Sequence, residues 1–104
     1  MAIIKVTEDN FEQEVLRSPI PVLADFNATW CGPCRMLKPI LAELSEERKD
    51  CKIVSIDTDE APELAMEYEI FGVPCVLLFK GGEEKTRAVG LQPKEAFVRL
   101  LEEG

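Results

Sequence analysis

Val22-Leu23-Ala24-Asp25-Phe26 is a nearly continuous apolar run, and a strand that is apolar on both sides must be covered on both sides. This predicts a central strand in a sheet with helices packed on each face. Asp25 is the one residue of the run that does not belong in an apolar strand. The flanking segments supply the covering. Ile3 to Val6 is a short apolar run, and Thr7 is placed to cap a helix that carries Phe11 and Val15 at i, i+4 before Pro19 and Pro21 stop it. Leu37, Leu41 and Leu44 recur at helical spacing, so a second helix begins near Cys34 and ends at about Arg48. Pro39 inside it removes a backbone donor and crowds the preceding turn, so a kink is expected.

Lys52 to Asp57 reads as a strand and Pro62 to Glu67 as a short helix with its proline in the first turn. Cys75 to Phe79 is β-prone, Gly81-Gly82 signals a hairpin, and Lys85 to Val89 supplies the return strand. A last helix from about Pro93 to Glu102 buries Phe97, Leu100 and Leu101. The order β-α-β-α-β-α-β-β-α has crossovers that favour parallel pairing and a hairpin that must be antiparallel. The expected class is therefore α/β, a mixed central sheet with helices on both faces. At 104 residues the chain is too short for a second useful core, so one domain over 1–104 is expected.

Charge and composition remove several kinds of chemistry. Twelve Lys and Arg face 20 Asp and Glu, a formal charge of -8 with the acidic residues dispersed. Nucleic acid is not an expected partner, because phosphate contacts need clustered cations. There is no histidine, which excludes Cys-His and Ser-His-Asp mechanisms and imidazole metal sites. Met1-Ala2-Ile3-Ile4-Lys5 has no basic region leading into a long apolar run, and no apolar stretch approaches the roughly 20 residues that span a bilayer. A soluble, cytoplasmic chain without a membrane partner is expected. In such a compartment its four cysteines read as thiols with a reactive pair among them rather than as a disulfide framework.

That pair lies in Trp30-Cys31-Gly32-Pro33-Cys34. One helical turn brings i and i+3 to about 5 Å between Cα atoms, within the range of roughly 4.4 to 6.8 Å that a disulfide needs. Cys31 at a helix N-terminus would meet unpaired N–H groups and the positive dipole end, which favour a thiolate and make it the candidate attacking sulfur. Cys34, one turn further in, would release a mixed disulfide by attacking Cys31. Gly32 permits close backbone approach, Pro33 has no N–H to lose in the first turn, and Trp30 offers a flat apolar shoulder for substrate. Two other readings stand beside this one: small buried hydrophobes, or half of a zinc site. A four-cysteine zinc site usually repeats the close pair, whereas Cys51 and Cys75 are isolated, so no metal is expected. Asp25 has two readings: a proton acceptor for Cys34, with a pKa raised by burial, or a strand-end carboxylate satisfied by backbone donors. Pro74 suits a tight cis turn, although the rarity of cis X-Pro bonds favours an ordinary trans proline.

Asp25-Phe26, Ala28-Thr29-Trp30-Cys31-Gly32-Pro33-Cys34, Pro39, Asp57-Thr58-Asp59, Phe71-Gly72-Val73-Pro74, Phe79-Lys80-Gly81-Gly82 and Gly90 together resemble the thioredoxin family in order and approximate spacing. The resemblance spans nearly the whole chain and implies the thioredoxin fold. It implies Cys31 as nucleophile, Cys34 as resolving thiol, Asp25 as buried acid/base and Pro74 as a cis-proline. Trp30, Gly32, Pro33, Val73, Pro74 and Gly90 would face substrate, with the Val73 backbone pairing to an extended client segment. The implied activity is protein-disulfide reduction by a monomer. Oxidised client proteins and a thioredoxin reductase would be its partners, and electrons would come from NADPH through that separate flavoprotein, so no cofactor is bound. Two other functions remain open: a disulfide oxidase or isomerase, and a binding subunit with idle thiols. Three departures stand out. Asn27 occupies a position where many bacterial members have tryptophan, Ser55 one where lysine often sits, and Cys75 one where threonine is usual. Cys75 thus reads either as a threonine-sized filler or as a third thiol that modulates the pair.

Overall fold

A computed structural model describes residues 3–104. Five strands, β1 (Ile4–Val6), β2 (Val22–Asn27), β3 (Lys52–Asp57), β4 (Cys75–Lys80) and β5 (Glu83–Val89), form one sheet in the order β1-β3-β2-β4-β5. β2 is its centre, parallel to β3 and antiparallel to β4, while β1 runs parallel to β3 and β5 antiparallel to β4. Three α-helices, α1 (Gly32–Glu47), α2 (Pro62–Glu67) and α3 (Lys94–Glu103), and a single π-helical turn at Glu12–Leu16 cover the sheet.

The apolar run of β2 is buried throughout, and successive residues go to opposite layers as strand geometry requires. Leu23 packs with Val76 and Leu78 of β4, Leu37, Leu41 and Leu44 of α1, and Phe97 and Leu101 of α3. Ala24 and Phe26 pack on the other face with Cys75, Leu77 and Phe79 of β4, Phe11 and Val15, and Ala61 and Leu64. That second layer is held by an aromatic cluster in which Tyr68 meets Phe79 edge-on at 5.3 Å between ring centroids and Phe11 meets Phe79 at 5.9 Å. Gly81 and Gly82 form the two-residue β4–β5 turn with φ of +59° and +83°, the left-handed pair that matches strand twist.

Several local expectations are corrected. Thr7 does not cap the first helix: its hydroxyl accepts from the Asp9 amide in a tight turn, and helical backbone starts at Phe11. The helical segment is widened to i→i−5 pairing, with the Arg17 amide donating to the Glu12 carbonyl at 2.9 Å. Pro39 lies inside α1, as expected. β5 begins two residues early, at Glu83, because the turn is closed by the two glycines alone. Phe97 and Leu101 are buried, while Leu100 is half-buried at the margin of the core. The part of the leader reading that falls on Met1 and Ala2 lies outside the described residues.

Candidate active site

β2 ends at Asn27, and a short loop then delivers Cys31 to the N-cap of α1, with extended backbone at φ −94° and ψ 115°. Gly32 and Pro33 occupy the first two helical positions, where a missing N–H costs nothing. The Cys34 backbone N–H donates to Cys31 Sγ at 3.1 Å, so the cap of this helix is a sulfur. No acidic residue sits in the first turn of α1, leaving the positive end of the helix to favour negative charge on that sulfur. Cys31 and Cys34 are joined as a disulfide, with Cα atoms 5.2 Å apart. Both are buried to the same degree, 5 % exposed. Exposure therefore does not distinguish an outer from an inner cysteine; their surroundings do.

Cys31 faces the chain that leads into β4. Its Sγ lies 3.7 Å from the Val73 carbonyl oxygen, and Ala28, Cys31, Cys34 and Val73 form a small cluster of their own. The Val73–Pro74 peptide is cis, and Gly90, at φ +91°, donates its amide to the Pro74 carbonyl at 2.8 Å. Trp30 is 69 % exposed, and its indole N–H donates to Asp59 Oδ2 at 2.9 Å. Between Trp30 and Val73 runs a shallow cleft of about 160 Å³, also lined by Thr58, Ile70, Phe71 and Gly72. Phe71 is 93 % exposed. In the sequence Phe71 and Asp59 stand out only as members of the family motifs. Nothing in the local sequence marks Phe71 as surface, since phenylalanine is among the residues most often buried. The close approach expected at Gly32 is absent within the chain, since a Cβ there would meet nothing within 4 Å.

Cys34 faces the other way. With Asp25, Asn27, Ala28, Thr29, Arg35 and Lys38 it lines a cleft of about 190 Å³. Asp25 also lines a second cleft of about 450 Å³ that opens past Ser55 and Lys38 to Lys5, Asp57 and Glu60. Burial pushes the Asp25 carboxyl up to about 6, against the opposing pull of the Asn27 hydrogen bond and the Lys38 charge. Satisfaction by backbone donors is overturned. The carboxyl accepts a hydrogen bond from the Asn27 side chain, at 3.3 Å to Oδ2, and Oδ1 is buried without a partner among the described residues.

Cys75 is not brought into this group. It pairs with Phe26 in the β2–β4 register and packs with Phe26 on the sheet face opposite Asp25. Burial raises its pKa against the Arg87 guanidinium, whose Nη1 is 4.0 Å from the thiol. Cys51, half-buried just before β3, is likewise free. No group of three or more His, Cys, Asp or Glu among the described residues is placed to hold a metal ion, and no helix among them is long and apolar enough to cross a membrane.

The thioredoxin family model matches residues 2–103. Thioredoxin 1 of Nostoc sp. is 43% identical over 102 residues, covering 97% of this chain and 95% of that protein. The thioredoxin of Rickettsia bellii is 47% identical over 97 residues, 92% of each chain. The chloroplastic M-type thioredoxin of Chlamydomonas reinhardtii is 44% identical over 98 residues, 93% of this chain and 70% of its own.

Proposed function

The chain belongs to the thioredoxin family and is a thiol-disulfide oxidoreductase that reduces disulfides through a Cys31/Cys34 dithiol; from that premise we propose that Cys31 attacks and Cys34 resolves. The observation that carries this order is the Cys31 sulfur at the helix cap, accepting the Cys34 N–H at 3.1 Å, an arrangement that stabilises a thiolate at Cys31.

In the reduced protein the Cys31 thiolate attacks one sulfur of a client disulfide, forming a mixed disulfide and releasing the client's other sulfur, which takes a proton from water. Asp25 accepts the Cys34 proton across the cleft they share. The Cys34 thiolate then attacks Cys31 Sγ, the Cys31–Cys34 bond forms, and the client's second sulfur leaves and is protonated. Two electrons have passed to the client. The Val73 backbone beside Cys31 takes an extended client segment by strand addition, with Pro74 and Gly90 holding that edge and Trp30 and Phe71 flanking it. Gly32 and Pro33 leave the approach open, in keeping with the empty space in front of Gly32.

The chain needs no bound cofactor. Re-reduction falls to thioredoxin reductase, a separate flavoprotein drawing on NADPH, and the clients are oxidised proteins. We propose that the protein works as one domain over 1–104, a monomer of the cytoplasm. Insulin reduction with dithiothreitol as donor tests the activity, and turnover no higher than that of Cys31→Ser would refute the assigned roles. Cys34→Ser should accumulate a mixed disulfide through Cys31; recovery of clients through Cys34 in Cys31→Ser would reverse the order.

A further inference from the structure

Asn27 Nδ2 lies 2.8 Å from Ser55 Oγ, 3.0 Å from the Asp25 carbonyl oxygen and 3.3 Å from Asp25 Oδ2. Two hydrogens serve three acceptors, so the longest contact, to the carboxylate, is the one weakened by the other two. The orientation of the amide follows from its neighbours, since the opposite one would set its oxygen against a carbonyl and a carboxylate. The residue is also pinned through its backbone, because the Thr58 amide and hydroxyl both donate to the Asn27 carbonyl, at 2.9 and 3.2 Å. In the parallel β2–β3 register Asp25 stands opposite Ser55 and Asn27 opposite Asp57, so the three side chains meet on two rigid strands.

We infer that Asn27 is a positioning residue for Asp25: sharing its N–H groups with Ser55, it holds Oδ2 in a polar seat, leaves Oδ1 to take up the Cys34 proton, and sets the pH at which it does so. This rests on the reading of Asp25 as proton acceptor. The other groups around the carboxyl are Cys34, Arg35 and Lys38 from α1, Lys5 from β1, Asp57 and Glu60 at and beyond the end of β3, and Cys75 from β4 across the sheet. Lys5 is neutralised locally by Glu60, 3.1 Å away. The groups that pull the carboxyl down against burial are Asn27 and Lys38, and of these only Asn27 touches it.

The test is a carbon-13 NMR titration of the Asp25 carboxyl in the reduced full-length protein, paired with the pH profile of single-turnover mixed-disulfide resolution. Asn27→Leu keeps the branched shape of the side chain and removes the donor, so the Asp25 midpoint should rise by about half to one pH unit, a three- to tenfold gain in proton affinity. The acid limb of resolution should move with it. Ser55→Ala removes the competing acceptor, frees an N–H for the carboxylate, and should lower the midpoint. An unmoved or lowered midpoint in a folded Asn27→Leu protein overturns the inference. Should that variant not fold, an unmoved or raised midpoint in Ser55→Ala overturns it. Asp25→Asn separates the two readings. An acid limb that survives this substitution refutes Asp25 as the acceptor, while the NMR midpoints still judge Asn27 on their own.

Discussion

Replacing Asp25 by asparagine should make the oxidised protein more stable at neutral pH and leave it no better off in acid. The carboxyl is 5 % exposed, and burial lifts it from an ordinary 3.8 to about 6. Below about pH 4 both folded and unfolded chains hold the proton, and this residue contributes no pH dependence. Between about 4 and 6 the unfolded chain has released it and the folded chain has not, so folded wild-type protein loses stability as pH rises, at up to about 1.4 kcal/mol per pH unit. Above about pH 6 the cost is complete, a little over two such units or about 3 kcal/mol. Asparagine cannot ionise and escapes that cost. Its own amide loses something where Oδ1 now lacks a partner, but that loss is the same at every pH. Urea unfolding of both oxidised proteins from pH 3.5 to 8.5 isolates the effect, since the remaining carboxylates titrate in both. The variant's stability minus the wild type's should climb by about 3 kcal/mol across that range. A flat difference, or one that falls with rising pH, would refute the reading of Asp25 as a carboxyl held in a costly, proton-seeking site.

Two glycines should respond in opposite ways to alanine. At Gly82 the backbone has φ +83° and a Cβ would sit 3.0 Å from the Leu16 carbonyl oxygen. Gly82→Ala should therefore cost about 1–3 kcal/mol in denaturant unfolding, and a change under about 0.3 kcal/mol would contradict the packing of this hairpin on the π-helical turn. At Gly32 an added methyl meets open space, so stability should stay within about 0.5 kcal/mol while insulin reduction falls, the methyl now standing where a client approaches. Unchanged turnover would remove Gly32 from the substrate face.

The strands and main helices were legible because β2 is apolar on both faces and α1 repeats leucine at helical spacing, signals that need no tertiary information. The π-helical turn was not, since i→i−4 and i→i−5 pairing bury Phe11 and Val15 alike. Cys75 illustrates another limit. Every residue from Cys75 to Phe79 is buried, so no polar alternation marks which face each one takes. Only the pairing of Cys75 with Phe26 places its thiol across the sheet from Asp25. The Val73–Pro74 cis bond is invisible to local residue preference, and the family resemblance implied it where the bare residues favoured trans. Asn27 and Ser55 were visible as departures, but their meeting depends on the β2–β3 register that brings residues 28 positions apart together at 2.8 Å.

Equilibration of the protein with glutathione buffers, with alkylation and peptide mass spectrometry to assign each cysteine, tests the central claim most directly. Cys31 and Cys34 should pass together between dithiol and disulfide while Cys51 and Cys75 stay thiols. The midpoint should be more reducing than about −230 mV, below the range of glutaredoxins and protein disulfide isomerase. A less reducing midpoint, or a disulfide that enlists Cys51 or Cys75, would contradict a reductase built on the Cys31/Cys34 pair.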